Sequence, residues 1–392
     1  MSFWQDQDWS HAVREFSKVL ESEPQHVDAL RYRGLAQYEL EQYESALEDF
    51  DRWAAVEPDV AEVYYYKALV YHQLGRYEKA LTESDHALEL DDLLCEAQYN
   101  KGLAYYELGD YERAIACYNR AIEMDPNFGI AFNTRGMVYF ELGNDAQAIE
   151  NFTTGIERCP HLYENYHMRG IVFLHAGESE KALCDFDTAL TYLLHDYSNP
   201  IYGDVLQDRG LAYLQIGAYT AAIENFTEAL KFWQKSEDAT VFNDRGTAHY
   251  GLRQYDEALE DYSRAIEYDS ELTDAFYNRG ATFIEILEYD AAVQDLSEAI
   301  RLDPCYYEAF VKRGDAHTRL FEFSKAIRDY KEAVRLQPED ALTMHRLGIV
   351  YAKTEQEERA ITVLEQAREL YVKANRDCEQ IDRDLEKLRS GA

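Results

Sequence analysis

Five potential metal ligands, Cys159, His161, His167, His175 and Cys184, fall within 26 positions of this chain. A zinc site needs four such donors converging in closely spaced pairs. Their intervals follow no such template, and the repeat of the chain turns them onto several faces, so no metal is expected. A second series is more regular: Arg33, Lys67, Lys101, Arg135, Arg169, Arg209, Arg245, Arg279 and Arg313. A bare row of cations would hold an anionic ligand. Sixteen residues later, however, come Asp49, Glu83, Asp185, Asp261, Asp295 and Asp329, with Asn151 and Asn225 in two other places. Matched acids neutralise the row, which predicts pairing between two helices of one unit, a device that sets register more than it stabilises. No Gly-rich phosphate loop, H-E-x-x-H run, nucleophile elbow or calcium loop occurs. The expectation is a chain without catalytic residues or cofactor, and therefore no enzyme.

The elements that carry these residues follow from an internal period. A small residue stands at Gly34, Ala68, Gly102, Gly136 and Gly170, then at Gly210, Gly246, Gly280, Gly314 and Gly348. Twelve residues after each comes an alanine, from Ala46 to Ala360, and seven further on Ala or Gly in every case except Trp53. Small residues let two helix backbones approach closely. Leu108–Tyr111 reads as a turn with Gly109 in the left-handed conformation. Proline ends several units, at Pro24, Pro58, Pro126, Pro160, Pro304 and Pro338, where it stops a helix. Apolar residues recur at three- and four-residue steps, which is helical periodicity.

This pattern resembles the tetratricopeptide repeat (TPR) family, with 34 residues and two antiparallel helices per unit. The family's aromatic at position 24 of the unit appears as Phe50, Tyr118, Phe152, Phe186, Phe226, Tyr262 and Tyr330, while Ser84, Leu296 and Leu364 depart from it. Its tyrosine at position 17 appears as Tyr43, Tyr77, Tyr111, Tyr219, Tyr255 and Tyr289. The resemblance implies an all-α fold, a right-handed solenoid of about ten and a half repeats. Trp9, Ala12, Phe16 and Pro24 match the second half of a repeat, so the chain opens on a partial unit, with Phe3 and Trp4 as a cap or with the chain a piece of something longer. Spacing lengthens by six residues between Gly170 and Gly210 and by two between Gly210 and Gly246. The surplus lies in residues 191–202, read as a loop after an extended helix, and in residues 231–240. The expected division is a front stack (1–202), a back stack (203–374), and a C-terminal cap helix and tail (375–392). In the last of these, Ile381, Leu385 and Leu388 share one face.

In the TPR family the first helices line a concave groove, and positions 2, 5, 6, 9, 12 and 13 face into it. Carried onto this chain, the resemblance implies a groove built from Tyr32, Leu35, Tyr38, Glu62, Tyr65, Tyr66, Leu69, Glu96, Tyr99, Asn100, Leu103, Tyr106 and Phe140. Tyrosines over an apolar floor with an acidic rim suit a basic or amphipathic peptide segment. The alternative for these tyrosines is packing between neighbouring units. The lysines and asparagines with which some TPR domains clamp a C-terminal carboxylate are absent: Tyr65 and Leu69 stand before Asn100, with Ile130 and Thr134 after it.

Composition agrees with a protein partner. The chain carries 39 basic against 75 acidic residues, and residues 341–392 hold only 9 and 10 of these. So negative a chain repels phosphate backbones and anionic headgroups, so neither nucleic acid nor membrane is expected as partner. Six scattered cysteines and the absence of a signal-like N-terminus predict a reduced, cytoplasmic protein. The functional expectation is a protein-interaction scaffold or adaptor. A regulatory or targeting arm of a larger enzyme, or a module that self-associates through an open N-terminal end, are the alternatives.

Overall fold

A computed structural model of the chain describes residues 9–193, 201–232 and 238–390. These contain 22 helices and no strand. They belong to two compact units, Met1–His195 and Asp196–Ala392. Phe3, Trp4 and the turn at Ser198–Pro200 lie outside the described residues, as does half of the second insertion.

In the first unit α1 (Trp9–Ser22) packs on α2, and five helix pairs follow. They are α2/α3 (Val27–Glu39, Tyr43–Val56), α4/α5 (Ala61–Gln73, Tyr77–Leu90) and α6/α7 (Cys95–Glu107, Tyr111–Met124). Next come α8/α9 (Gly129–Glu141, Asp145–Arg158) and α10/α11 (Tyr163–His175, Ser179–Leu193). The second unit holds α12/α13 (Ile201–Gln215, Tyr219–Ala229), α14/α15 (Asp238–Gly251, Tyr255–Tyr268) and α16/α17 (Thr273–Glu285, Tyr289–Leu302). It continues with α18/α19 (Tyr307–Arg319, Phe323–Leu336), α20/α21 (Ala341–Lys353, Glu357–Lys373) and α22 (Glu379–Ser390). Each unit is thus an all-α helical-repeat solenoid.

Complementary volumes lock each pair. A Cβ added at Gly34 or Gly102 would sit 2.5 Å from the ring of Phe50 or Tyr118, sixteen residues on. Gly280 and Gly348 face Leu296 and Leu364 in the same way. The pair that carries Ala68 in place of glycine has Ser84 opposite, fully buried. The departures from an aromatic at this place are therefore solutions to one packing problem.

The turns between the two helices of a pair all place one residue at positive φ. Glycine fills it at Gly75, Gly109, Gly143, Gly177 and Gly217, but Glu41, Arg253, Leu287, Phe321 and Glu355 occupy the other five. Left-handed backbone costs a residue with a Cβ roughly 1 kcal/mol. At Phe321 (φ 59°) the ring is 79% exposed, so little packing repays that cost. Phe321→Gly is expected to stabilise the chain by about 1 kcal/mol, read as a higher urea midpoint by circular dichroism; an unchanged or lower midpoint would show the ring to be held by contacts.

The last helix begins at Glu379, four residues later than the start expected at Asn375. Asn375 (φ 53°) ends α21, and the Asp377 carboxylate accepts the Glu379 backbone N–H at 2.9 Å, fixing the start. Ile381 and Leu385 are buried against Met344, Leu364 and Ala367.

Candidate functional site: the first-helix face

Within each unit successive first helices touch: α4 with α6, α8 with α10, α12 with α14, α14 with α16 and α16 with α18. Successive second helices make no comparable contact among the described residues. The first helices therefore line the inner side of each stack, and residues at equivalent positions meet from one pair to the next.

In the first unit those meetings engage most of the expected groove residues. Tyr32 stacks on Phe16 (5.7 Å between ring centres), and Tyr66 stacks on Phe50 (5.6 Å) while donating to Glu62 at 3.1 Å. Tyr65 lies against Tyr66, 5.1 Å between ring centres. Glu62 is also paired with Arg31, whose guanidinium lies 5.6 Å from the Trp53 ring centre. Tyr38 accepts from Gln73 Nε2 of the next pair at 3.2 Å. Tyr99 packs edge-on against Phe128 of the next pair, and burial pushes its phenol up to about 12. Tyr106 and Tyr111 both donate to Glu141 of the next pair, the second at 2.7 Å, and burial followed by this carboxylate raises the Tyr106 phenol. Tyr77 donates likewise to Glu107 at 3.3 Å, so the tyrosines at position 17 of these two units tie one pair to its successor. Phe140 meets His175 edge-on at 5.5 Å. Leu35, Leu69 and Leu103 are half-buried as a floor between the rings. Asn100 is only 4% exposed, with Nδ2 sealed, and so lies beneath the surface. Glu96 is exposed.

Three residues in or beside the first-helix face, Trp53, Arg31 and Asp244, were not among those expected to line it. Trp53 and Arg31 line a cleft of about 470 Å³ with Asp28 and Glu62. Trp53 was signalled as the one large residue where all other repeats have Ala or Gly. In the second unit Asp244 of α14 stands beside Asn243, whose Oδ1 accepts from Asn278 Nδ2 of α16 at 2.9 Å. Burial pushes the Asp244 carboxyl up to about 6 against hydrogen bonds from Asn243 and Gln207, and the Asp274 charge adds to the rise. Among the described residues, no Lys or Arg nitrogen lies within 4.0 Å of the carboxylates of Asp28, Glu96, Asp244, Asp274 or Glu308.

Away from this row the basic series is matched. Arg33–Asp49, Arg169–Asp185, Arg245–Asp261, Arg279–Asp295 and Arg313–Asp329 are bidentate, with N–O distances of 2.6–2.9 Å. The remaining Nη1 donates to a hydroxyl on the preceding pair: Ser17, Thr153, Thr227, Ser263 or Ser297, at 3.0–3.1 Å. Each arginine thus joins three helices, in two pairs. Lys67 bridges Glu83 and Asp51, and Lys101, which has Cys117 where an acid would stand, turns to Asp85. The cysteines and histidines at 159–184 do not converge: Cys159 donates to the Asn127 carbonyl, His161 meets the Tyr192 ring, His167 the Phe186 ring, and His175 meets Asp145. Among the described residues no three His, Cys, Asp or Glu side chains are grouped to hold a metal ion. No helix among them is long and apolar enough to cross a membrane.

Tetratricopeptide-repeat profiles match residues 1–57, 35–91, 95–128, 117–150, 203–232, 246–286, 282–341 and 311–374. A sequence search of curated proteins returned no match. Among solved structures, the APC/C hetero-tetramer Cut9–Hcn1 is similar at TM-score 0.52 and 13% identity, over 98% of this chain and 88% of that one. A tetratricopeptide repeat protein from Parabacteroides merdae is similar at TM-score 0.50 and 20% identity, over 65% of this chain and 98% of its own. These likenesses concern the fold alone. Repeats of this type present helix faces to protein and peptide partners, and with profile matches along most of its length the chain belongs to the tetratricopeptide repeat family, as a protein-interaction scaffold.

Proposed function

We propose that the chain is an adaptor that holds a basic or amphipathic peptide segment of its partner along the first-helix face. The supporting observation is the contrast between two sets of acids. Those of the arginine series are neutralised within the fold, whereas Glu96, Asp244, Asp274 and Glu308 on first helices have no cation of their own. Glu96, Asp274 and Glu308 are exposed and would steer a basic partner, whereas the partly buried Asp244 carboxylate without a counter-ion raises the energy of the unbound chain, a cost that a Lys or Arg from a partner removes. Leu69 and Leu103 with Tyr65 and Tyr99 offer apolar area beside the acids of the first unit. Asp244 contributes a further property. A cation docked beside it holds the carboxylate ionised, so binding expels a proton near pH 6 and weakens as the pH falls below that value.

The structure also decides how to test this. Alanine at Tyr99 or Tyr106 would remove contacts between neighbouring pairs, so loss of binding there would not separate groove from fold. Glu96→Lys and Asp244→Lys change charge at positions with no internal ion pair. Partners captured by the intact chain at low salt are expected to be basic, to fall away at moderate salt, and to be lost with the double variant while its circular dichroism is unchanged. Partners retained by a folded double variant would place binding elsewhere on the chain.

A further inference from the structure

Two arginines of the series, Arg135 and Arg209, face an asparagine in place of an aspartate. Arg135 of α8 has Asn151 of α9 where five other arginines have aspartate. Its Nε donates to Asn151 Oδ1 at 2.6 Å, as Nε does to Oδ2 in the aspartate pairs, and Nη1 donates to Asn119 on the preceding pair. The difference lies at Nη2. In the aspartate pairs it donates to the second carboxylate oxygen. In Asn151 that place is taken by Nδ2, a donor, which turns to the Gln147 carbonyl at 2.7 Å. Arg135 Nη2 has no acceptor among the described residues, and it is not one of the atoms sealed from solvent. Asn225 repeats the exchange beneath Arg209, with Nδ2 donating to Ala221, but Arg209 has further interactions of its own.

Around Arg135 lies a cleft of about 250 Å³, lined also by Tyr139, Gln147, Asn151 and Thr154. Glu150 is part of its lining, yet no carboxylate oxygen comes within 4.0 Å of the Arg135 guanidinium among the described residues. Burial of this cation lowers its proton affinity by more than the charges of Tyr139 and Glu150 raise it, whereas the salt-bridged Arg33 and Arg169 are raised by their aspartates. The guanidinium is held against the Phe132 ring, 5.5 Å from its centre, so its orientation is fixed. A preorganised, half-buried guanidinium with a free N–H in a polar cleft is a receptor for a planar oxyanion.

We propose that this cleft is a binding site for a carboxylate supplied from outside the chain, filling the place that aspartate fills in the other pairs. It is distinct from the first-helix face and takes ligands of the opposite charge. The negative chain repels an approaching anion, so binding here is expected to strengthen as salt screens that repulsion, the reverse of the behaviour of a basic partner.

The test is thermal unfolding of the full chain in sodium acetate against sodium chloride at equal ionic strength, with sodium phosphate as a third arm, for the native sequence and Asn151→Asp. The variant supplies the missing carboxylate internally. In chloride it is expected to melt about 2 °C higher, although it adds a negative charge to an already acidic protein. Acetate is expected to raise the midpoint of the native sequence and to leave that of Asn151→Asp unchanged. Equal acetate shifts in both proteins, or a lower midpoint for Asn151→Asp in chloride, would overturn the proposal. A shift with phosphate and none with acetate would overturn the assignment to a carboxylate.

Discussion

Asp261→Ala is expected to destabilise the second unit by about 3 kcal/mol. Asp261 is almost fully buried, and both its oxygens accept from Arg245, at 2.7 and 2.8 Å. Truncation leaves the guanidinium half-buried between α13, α14 and α15 with only the Thr227 hydroxyl as partner. The cost comes from the stranded charge more than from the lost attraction. Asp261→Asn is the informative companion. Asn225 and Asn151 show that an amide at this place still accepts from the arginine Nε. The amide variant should therefore lose only about 1 kcal/mol. Urea unfolding followed by circular dichroism measures both. Equal losses for Ala and Asn would mean that geometry matters less here than charge.

The second large effect concerns packing. Ser84→Phe places a ring where Ala68 already projects a methyl group, and in equivalent pairs a Cβ would lie 2.5–2.9 Å from the facing ring or side chain. Overpacking of this kind costs about 3 kcal/mol at its upper range. Ala68→Gly alone leaves a void and a more flexible helix, and is also destabilising, by about 1 kcal/mol. The double variant reproduces the combination found at Gly34–Phe50 and is expected to recover most of both losses, a coupling of about 3 kcal/mol between two residues in contact. Additive losses would show that Ser84 and Ala68 do not share one packing site.

Much of this was legible without coordinates. The period fixes the helix pairs because close backbone crossings tolerate only small residues at Gly34 and its equivalents. The sixteen-residue interval of the arginine series gives the ion pairs because it spans one turn and brings two helix faces together. The third bond of each arginine, to Ser17, Thr153, Thr227, Ser263 or Ser297, was not read, since a hydroxyl carries no charge to mark it. The groove was read less well. Family positions indicate which residues share a face, but not which are already engaged by neighbours. Glu62 is neutralised by Arg31, a residue three places before its own repeat's small marker, and only the stacked arrangement brings them together. Tyr99 and Tyr106 lie in the expected row, yet each serves the contact between pairs as well as the surface. Asp244 was missed because one aspartate among 75 acidic residues has no distinguishing mark until burial gives it one.

The three-helix arginine junction has a consequence for how such a chain grows. Five units contribute an arginine that looks both to its own aspartate and back to a hydroxyl on its predecessor, so each of these is self-sufficient in one bond and compatible with any such neighbour in the other. A copied block of 34 residues would meet matching partners at both seams. The Arg245–Thr227 bond spans 18 residues where the others span 16, so two added residues in the linker leave the seam intact. Duplication and modest slippage are therefore tolerated by the same chemistry, and the array is able to lengthen in evolution without inventing a new interface each time.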